Sequence, residues 1–154
     1  MTAHMMNGNE YGETRSMQTL SARPTSSSTR GEVWRGAAAA LLCVCSRGAF
    51  RGEPTAPAYG ASKAGLNQLS QSAAKALAPS NVVVGVVAPG FVDTAMAAEA
   101  LAGPRGDAIR GDSPFNRVAS VDEVAEAILY FTHTNAKWSS GAIIDVNGAS
   151  YLRS

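Results

Sequence analysis

Tyr59 and Lys63 stand four residues apart in a segment whose apolar residues recur at helical spacing, so both side chains leave one helix face a turn from each other. A free phenol titrates near ~10, too high for proton transfer in neutral solution, whereas a nearby ammonium and a helix amino terminus both favour the phenolate. The pair can therefore serve as an acid/base unit. Ser46, thirteen residues before Tyr59, closes an apolar run that reads as a strand. Its hydroxyl lies where open α/β sheets present groups to ligands, and it can hydrogen-bond a substrate oxygen. Pro89-Gly90 closes a second such run and continues into Phe91-Val92-Asp93-Thr94. Glycine at that place lets backbone approach a flat ring closely.

Other chemistries fit less well. His4 and His133 are the only histidines and lie far apart in the sequence, so neither a hydrolytic triad nor a metal cluster assembles from them, and no metal site is expected. A hydrolase elbow needs glycine two residues before its nucleophile, and Val44 holds that place relative to Ser46. Cys43 and Cys45 would point to one face of a strand, too far apart along it for an easy disulfide. Reduced, buried thiols are expected.

These residues need a frame, and the pattern from Gly36 onward supplies one. Ala38 to Cys45 and Val82 to Val87 are apolar at every position, as strands covered on both faces must be, and read as parallel neighbours. Between them Pro57 suits a first helical turn, and Ala58, Ala61, Leu66, Leu69, Ala73 and Leu77 repeat at helical spacing until Pro79. That is a crossover helix. Ser120 and Glu123 form a capping box for another, with Val121, Val124, Ala125, Ile128 and Leu129 as its apolar face. The last strand spans Ala142 to Val146. The fold class is α/β, an incomplete doubly wound parallel sheet.

Residues 1–35 are rich in Ser, Thr, Arg, Met and Asn without sustained periodicity and read as a disordered leader, leaving 36–154 as the folded part. The stretch from Arg15 to Arg30 has hydroxyls and no acidic residue, as an organelle transit peptide would, against which Glu10 and Glu13 stand. With 13 basic and 12 acidic residues and a net charge of +1, nothing marks a nucleic-acid or anionic-membrane partner. No apolar stretch approaches the ~18–20 residues that span a bilayer, and no secretory signal is seen, so a cytoplasmic protein acting on small molecules is expected.

Taken together, Ser46, the run Ala58-Tyr59-Gly60-Ala61-Ser62-Lys63-Ala64-Gly65, Ala88 to Thr94, Ser120 to Ala125 and Gly141 to Gly148 resemble the carboxyl-terminal half of a short-chain dehydrogenase/reductase, over about residues 36–150. The resemblance implies a Rossmann-type fold and interconversion of an alcohol and a carbonyl with NAD or NADP. It implies Tyr59 as acid/base, Lys63 on the nicotinamide ribose, and Ser46 orienting the substrate oxygen. Pro89, Gly90, Val92 and Thr94 would lie along the nicotinamide, and Ala95 to Ser113 would be the variable lid. A small alcohol or carbonyl substrate and a homo-oligomer follow from the same likeness.

Departures are specific. No Gly-x-x-x-Gly-x-Gly phosphate loop occurs in the sequence, Cys45 stands where a second serine is common, Gly48 comes one residue early, and Asn147 replaces a frequent aspartate. The first half of the family's sheet is expected to be missing, which leaves the strand at Ala38 to Cys45 with an unpaired edge. The alternative function is a non-catalytic remnant or partner-dependent subunit that does not bind the cofactor.

Overall fold

The two apolar runs lie side by side at the heart of the sheet. The computed structural model describes residues 2–6, 18–21 and 39–153. Strand β3 (Ala39–Val44) pairs in parallel with β4 (Val82–Pro89), with Leu41 opposite Val84 and Val44 opposite Val87. Strand β5 (Ile143–Val146) runs parallel on the far side of β4. Every β4 residue after Val82 is buried, as a strand covered on both faces requires. Two further strands, β1 (Thr2–Met6) and β2 (Gln18–Ser21), complete the order β2-β1-β3-β4-β5, with β1 parallel to β3 and antiparallel to β2.

This corrects the expected open edge. His4, Met5 and Met6 pair with Leu41, Leu42 and Cys43, so that edge of β3 is paired over those residues. The leader read over residues 1–35 falls largely outside the described residues. Within it, Thr2–Met6 and Gln18–Ser21 run as strands.

Period-two alternation sorts the core. Ala40, Leu42, Val83 and Val87 point to one face and pack with Val124, Ile128 and Phe131. Cys43, Cys45 and Val86 point to the other and pack with Leu66 and Ile143. The two thiols are free, buried and on one face. Gly85 lies opposite Phe131. A β-carbon built there would come within 2.6 Å of three carbons of the Phe131 ring, so only glycine lets the ring lie against the strand.

Helix α1 (Pro57–Leu77) joins β3 to β4, and Pro79 ends it within the 3-10 turn Ala78–Ser80. Its buried residues are Lys63, Asn67, Ser70 and Ala74, not the apolar line expected. Leu69 is 57% exposed, and Ala58 and Ala61 are exposed too. Small or polar side chains let the helix sit close over the sheet, and Ser70 satisfies its hydroxyl on Leu66 O at 2.7 Å within the helix. Among the described residues Asn67 has no hydrogen-bond partner for either side-chain polar atom.

After β4 come α2 (Ala95–Ala102) and α3 (Gly106–Gly111), held by Ala97, Leu101 and Ile109 against Phe91 and Val118. Helix α4 (Val121–Tyr130) follows. Its capping box is formed as expected: Glu123 N donates to Ser120 Oγ at 3.2 Å, and Ser120 N donates to Glu123 Oε2 at 2.8 Å. Its packed face is Val124, Ala127 and Ile128, whereas Val121 and Leu129 are exposed. No helix among the described residues is long and apolar enough to cross a membrane.

Candidate active site

Strand β3 ends at Val44, and the chain turns at once. Cys45 N is still bonded to Val87 O at 2.7 Å, and Ser46 then caps the 3-10 turn Arg47–Ala49 by accepting from Gly48 N at 3.1 Å. That turn packs against α1. Tyr59 is the third residue of α1, so it stands in the helix's first turn, where backbone N–H groups lack intrahelical partners. The two groups converge on Gly48. The position a β-carbon would occupy on Gly48 lies 3.4 Å from Ser46 Oγ and 3.4 Å from Tyr59 Cε1. Glycine here keeps the serine hydroxyl and the phenol ring on one small clearing.

Lys63 lies beside the Tyr59 ring. It is only 5% exposed, its Nζ lies 5.6 Å from the centre of the Tyr59 ring, and it donates one long bond to Val44 O at 3.4 Å. Burial pushes the Lys63 ammonium below its ordinary pKa. Cys45 donates from Sγ to Lys63 O at 3.2 Å. Burial raises its pKa, more than the backbone N–H at Ser46 and the Lys63 charge lower it. The thiol therefore stays neutral, and its hydrogen bond ties α1 to the end of β3.

The second group lies on the same edge of the sheet. Pro89 is the buried last residue of β4, and Gly90 N donates to Val146 O at 3.1 Å. Val92 makes an isolated bridge with Ala119, and Thr94, exposed, is the residue before α2 and donates to Val92 O at 3.4 Å. Gly90 has a reason the sequence did not reveal. A β-carbon there would meet Asn147 Cβ at 3.1 Å and Ser150 Oγ at 3.4 Å, so the close approach it permits is to the protein's own β5 end. Ser46, Tyr59 and Lys63 thus form one cluster, and Pro89 to Thr94 run beside it with no direct contact to Tyr59 or Lys63 among the hydrogen bonds described.

One buried group escaped the sequence reading. Arg47, 6% exposed, sits between Ser46 and Gly48, with Nη2 on Asp112 Oδ2 at 3.0 Å and Nη1 on Ser150 Oγ at 2.6 Å. It reaches into a cavity of about 310 Å³ with walls of Phe91, Ile109, Phe115 and Val118. The available signal was a charge directly after a buried strand. No cluster of His, Cys, Asp or Glu suited to a metal occurs among the described residues.

The arrangement can hold and move a proton at the Tyr59 hydroxyl, hydrogen-bond a substrate oxygen from Ser46, and offer Lys63 to a polyhydroxyl group. The fit to a ribose is favourable, because the buried ammonium makes a single long bond and its other N–H groups meet no other described residue.

Known proteins resemble most of the chain. Residues 6–149 match the family model described as enoyl-(acyl carrier protein) reductase. A 3-oxoacyl-[acyl-carrier-protein] reductase of Aquifex aeolicus is 39% identical over 93 residues, covering 60% of this chain and 37% of that protein. An uncharacterized short-chain type dehydrogenase/reductase of Sinorhizobium fredii is 38% identical over 112 residues, 71% of this chain and 20% of the other. Among solved structures, a short-chain dehydrogenase/reductase of Brucella melitensis superposes with a TM-score of 0.69 at 29% identity, covering 74% of this chain and 46% of that one. An NADH-dependent reductase responsible for alginate metabolism gives 0.62 at 28% identity, over 74% and 42%. The chain spans less than half the length of each.

Proposed function

The chain belongs to the short-chain dehydrogenase/reductase family, and on that footing we propose that it supplies the proton-transfer site for interconversion of an alcohol and a carbonyl with NAD or NADP. One observation carries the reading: Ser46 Oγ and the Tyr59 ring share the clearing over Gly48, with the Lys63 ammonium beside that ring.

A bound nicotinamide supplies or accepts the hydride. In the reducing direction Ser46 donates a hydrogen bond to the carbonyl oxygen and fixes its place. Tyr59 gives its hydroxyl proton to that oxygen as negative charge builds there. The Tyr59 ring is then anionic, and Lys63, 5.6 Å from its centre, places positive charge against it. Lys63 would also hold the ribose of a bound dinucleotide with its spare N–H groups, and Pro89, Gly90, Val92 and Thr94 would border its nicotinamide. The substrate is a small alcohol or carbonyl compound, and a homo-oligomer is the proposed assembly.

The test joins this chain to the amino-terminal half of a full-length relative and measures reduction of a panel of carbonyl compounds with NADH and with NADPH. Turnover of at least one compound, lost in Ser46→Ala, is expected. No turnover with either dinucleotide across the panel would overturn the reading.

A second reading is a partner-dependent subunit without catalysis that does not bind the cofactor. Calorimetric titration of the chain alone with both reduced dinucleotides separates the two. Micromolar binding would dismiss the second reading.

A further inference from the structure

Three segments of the chain meet at one guanidinium. Arg47 belongs to the turn that holds Ser46, Asp112 closes α3 at the end of the lid segment, and Ser150 lies in the loop after β5. Arg47 bonds to Asp112 through Nη2 and to Ser150 through Nη1, and its guanidinium lies 5.6 Å from the centre of the Phe91 ring. Ser150 Oγ in turn lies 3.4 Å from the position a β-carbon would take on Gly90. Arg47 therefore ties the Ser46 turn to Asp112 and Ser150, and Ser150 lies close beside the Pro89-Gly90 turn.

The lid end has its own second fastening. Ser113 Oγ donates to Gly148 O at 2.6 Å, and Gly148 takes a left-handed φ of +57° that leaves no room for a β-carbon against that hydroxyl. Asp112 also accepts from Arg51 Nη1 at 3.2 Å, so two cations from the turn region converge on one lid carboxylate. Burial alone would raise the Asp112 pKa, but the hydrogen bonds from Arg51 and Arg47 outweigh it and hold the carboxyl below its ordinary value.

A guanidinium is suited to this place. Its planar fork presents separate N–H groups to two acceptors at once while its face covers an aromatic ring, a geometry that a lysine's compact ammonium does not reproduce. With 6% of its surface exposed, Arg47 sits where removal of its partners would strand a charge. Nothing in proton transfer at Tyr59 requires it.

We propose that Arg47 is a positioning residue that fixes the Ser46 turn, the Gly90 turn and the carboxyl end of the lid relative to one another. The significance of those turns rests on the oxidoreductase reading above, whereas the coupling itself is a property of the fold. Loss of Arg47 should free the lid end and the Gly90 turn without loosening the sheet.

Amide NMR spectra and hydrogen exchange of the full chain, compared for wild type, Arg47→Met and Arg47→Lys, test this without cofactor or turnover. In Arg47→Met the Gly48 and Gly90 amide resonances should move, and exchange over Gly106–Ser113 and Gly148–Tyr151 should quicken on the order of tenfold, with β4 amides unchanged. Arg47→Lys, which keeps the charge but not the planar fork, should fall between. Ser150→Ala and Asp112→Asn approach the contact from the other side and should reproduce the two halves of the pattern if Arg47→Met does not fold. Unmoved Gly48 and Gly90 resonances, or exchange that quickens equally in β4, would overturn the proposal. Because neither readout involves catalysis, failure of the oxidoreductase reading would leave both interpretable.

Discussion

Gly85→Ala inserts one methyl group where the sheet meets Phe131. The added carbon would lie within 2.6 Å of Cγ, Cδ1 and Cδ2 of that ring, about 1 Å or more inside the ~3.5–4.0 Å of ordinary carbon contacts. The ring cannot retreat freely, since Phe131 is 1% exposed and packed with Val83, Val87 and Val124. On the other side of the clash is backbone in the centre of the sheet, bonded to β3 and β5. Overpacking of this kind costs about 1–3 kcal/mol. In a folded region of this size each kcal/mol lowers the melting temperature by ~2–8 °C, so a fall of ~2–24 °C is expected. Thermal unfolding followed by circular dichroism measures it. Phe131→Leu in the Gly85→Ala background should recover part of the loss, a non-additivity expected of residues in contact. Unchanged stability in Gly85→Ala, or strict additivity of the pair, would refute the packing assigned to Phe131.

Two other perturbations separate folding from function. Glu123 is held down to about 2 by the Arg117 hydrogen bond first and the Ser120 backbone N–H second. A carboxyl whose pKa is depressed on folding stabilises above its unfolded value, so this contribution is complete above about 4.5 and fades as pH falls toward about 2. Carboxyl-detected NMR titration should find that low value, and a Glu123 midpoint near 4.5 would contradict the capping box as described. Lys63 is buried with its pKa lowered by desolvation, so its charge opposes folding at neutral pH. Lys63→Met should raise the denaturation midpoint while abolishing any dinucleotide binding. A lower midpoint would show that the ammonium is better compensated than a single long bond to Val44 O suggests.

Local pattern made the central elements legible. Uninterrupted apolar runs located β3 and β4, Pro57 and Pro79 bracketed α1, and Ser120 with Glu123 marked the start of α4, because each of those signals acts within a few residues. The buried face of α1 was not legible, since Lys63, Asn67 and Ser70 are polar types that pattern reading assigns to solvent. Ser46, Tyr59 and Lys63 could be named from spacing and resemblance, but their convergence on Gly48 depends on the turn that packs against α1. Arg47 was missed because its partners lie 65 and 103 residues away. Gly90 and Gly85 likewise take their meaning from Asn147 and Phe131, contacts that only the assembled sheet creates. The pairing of β1 along β3 had no periodic signal at all.

The central claim is that Tyr59 moves the proton, and Tyr59→Phe tests it most directly, because the ring and its packing over Gly48 remain while the transferable proton is gone. In the chain joined to the amino-terminal half of a relative, the variant should keep its melting temperature and its dinucleotide affinity. Its turnover should fall ~10²–10⁴-fold, the range a general acid/base supplies. A Tyr59→Phe protein that reduces the same carbonyl at near the wild-type rate across the pH range would contradict the account.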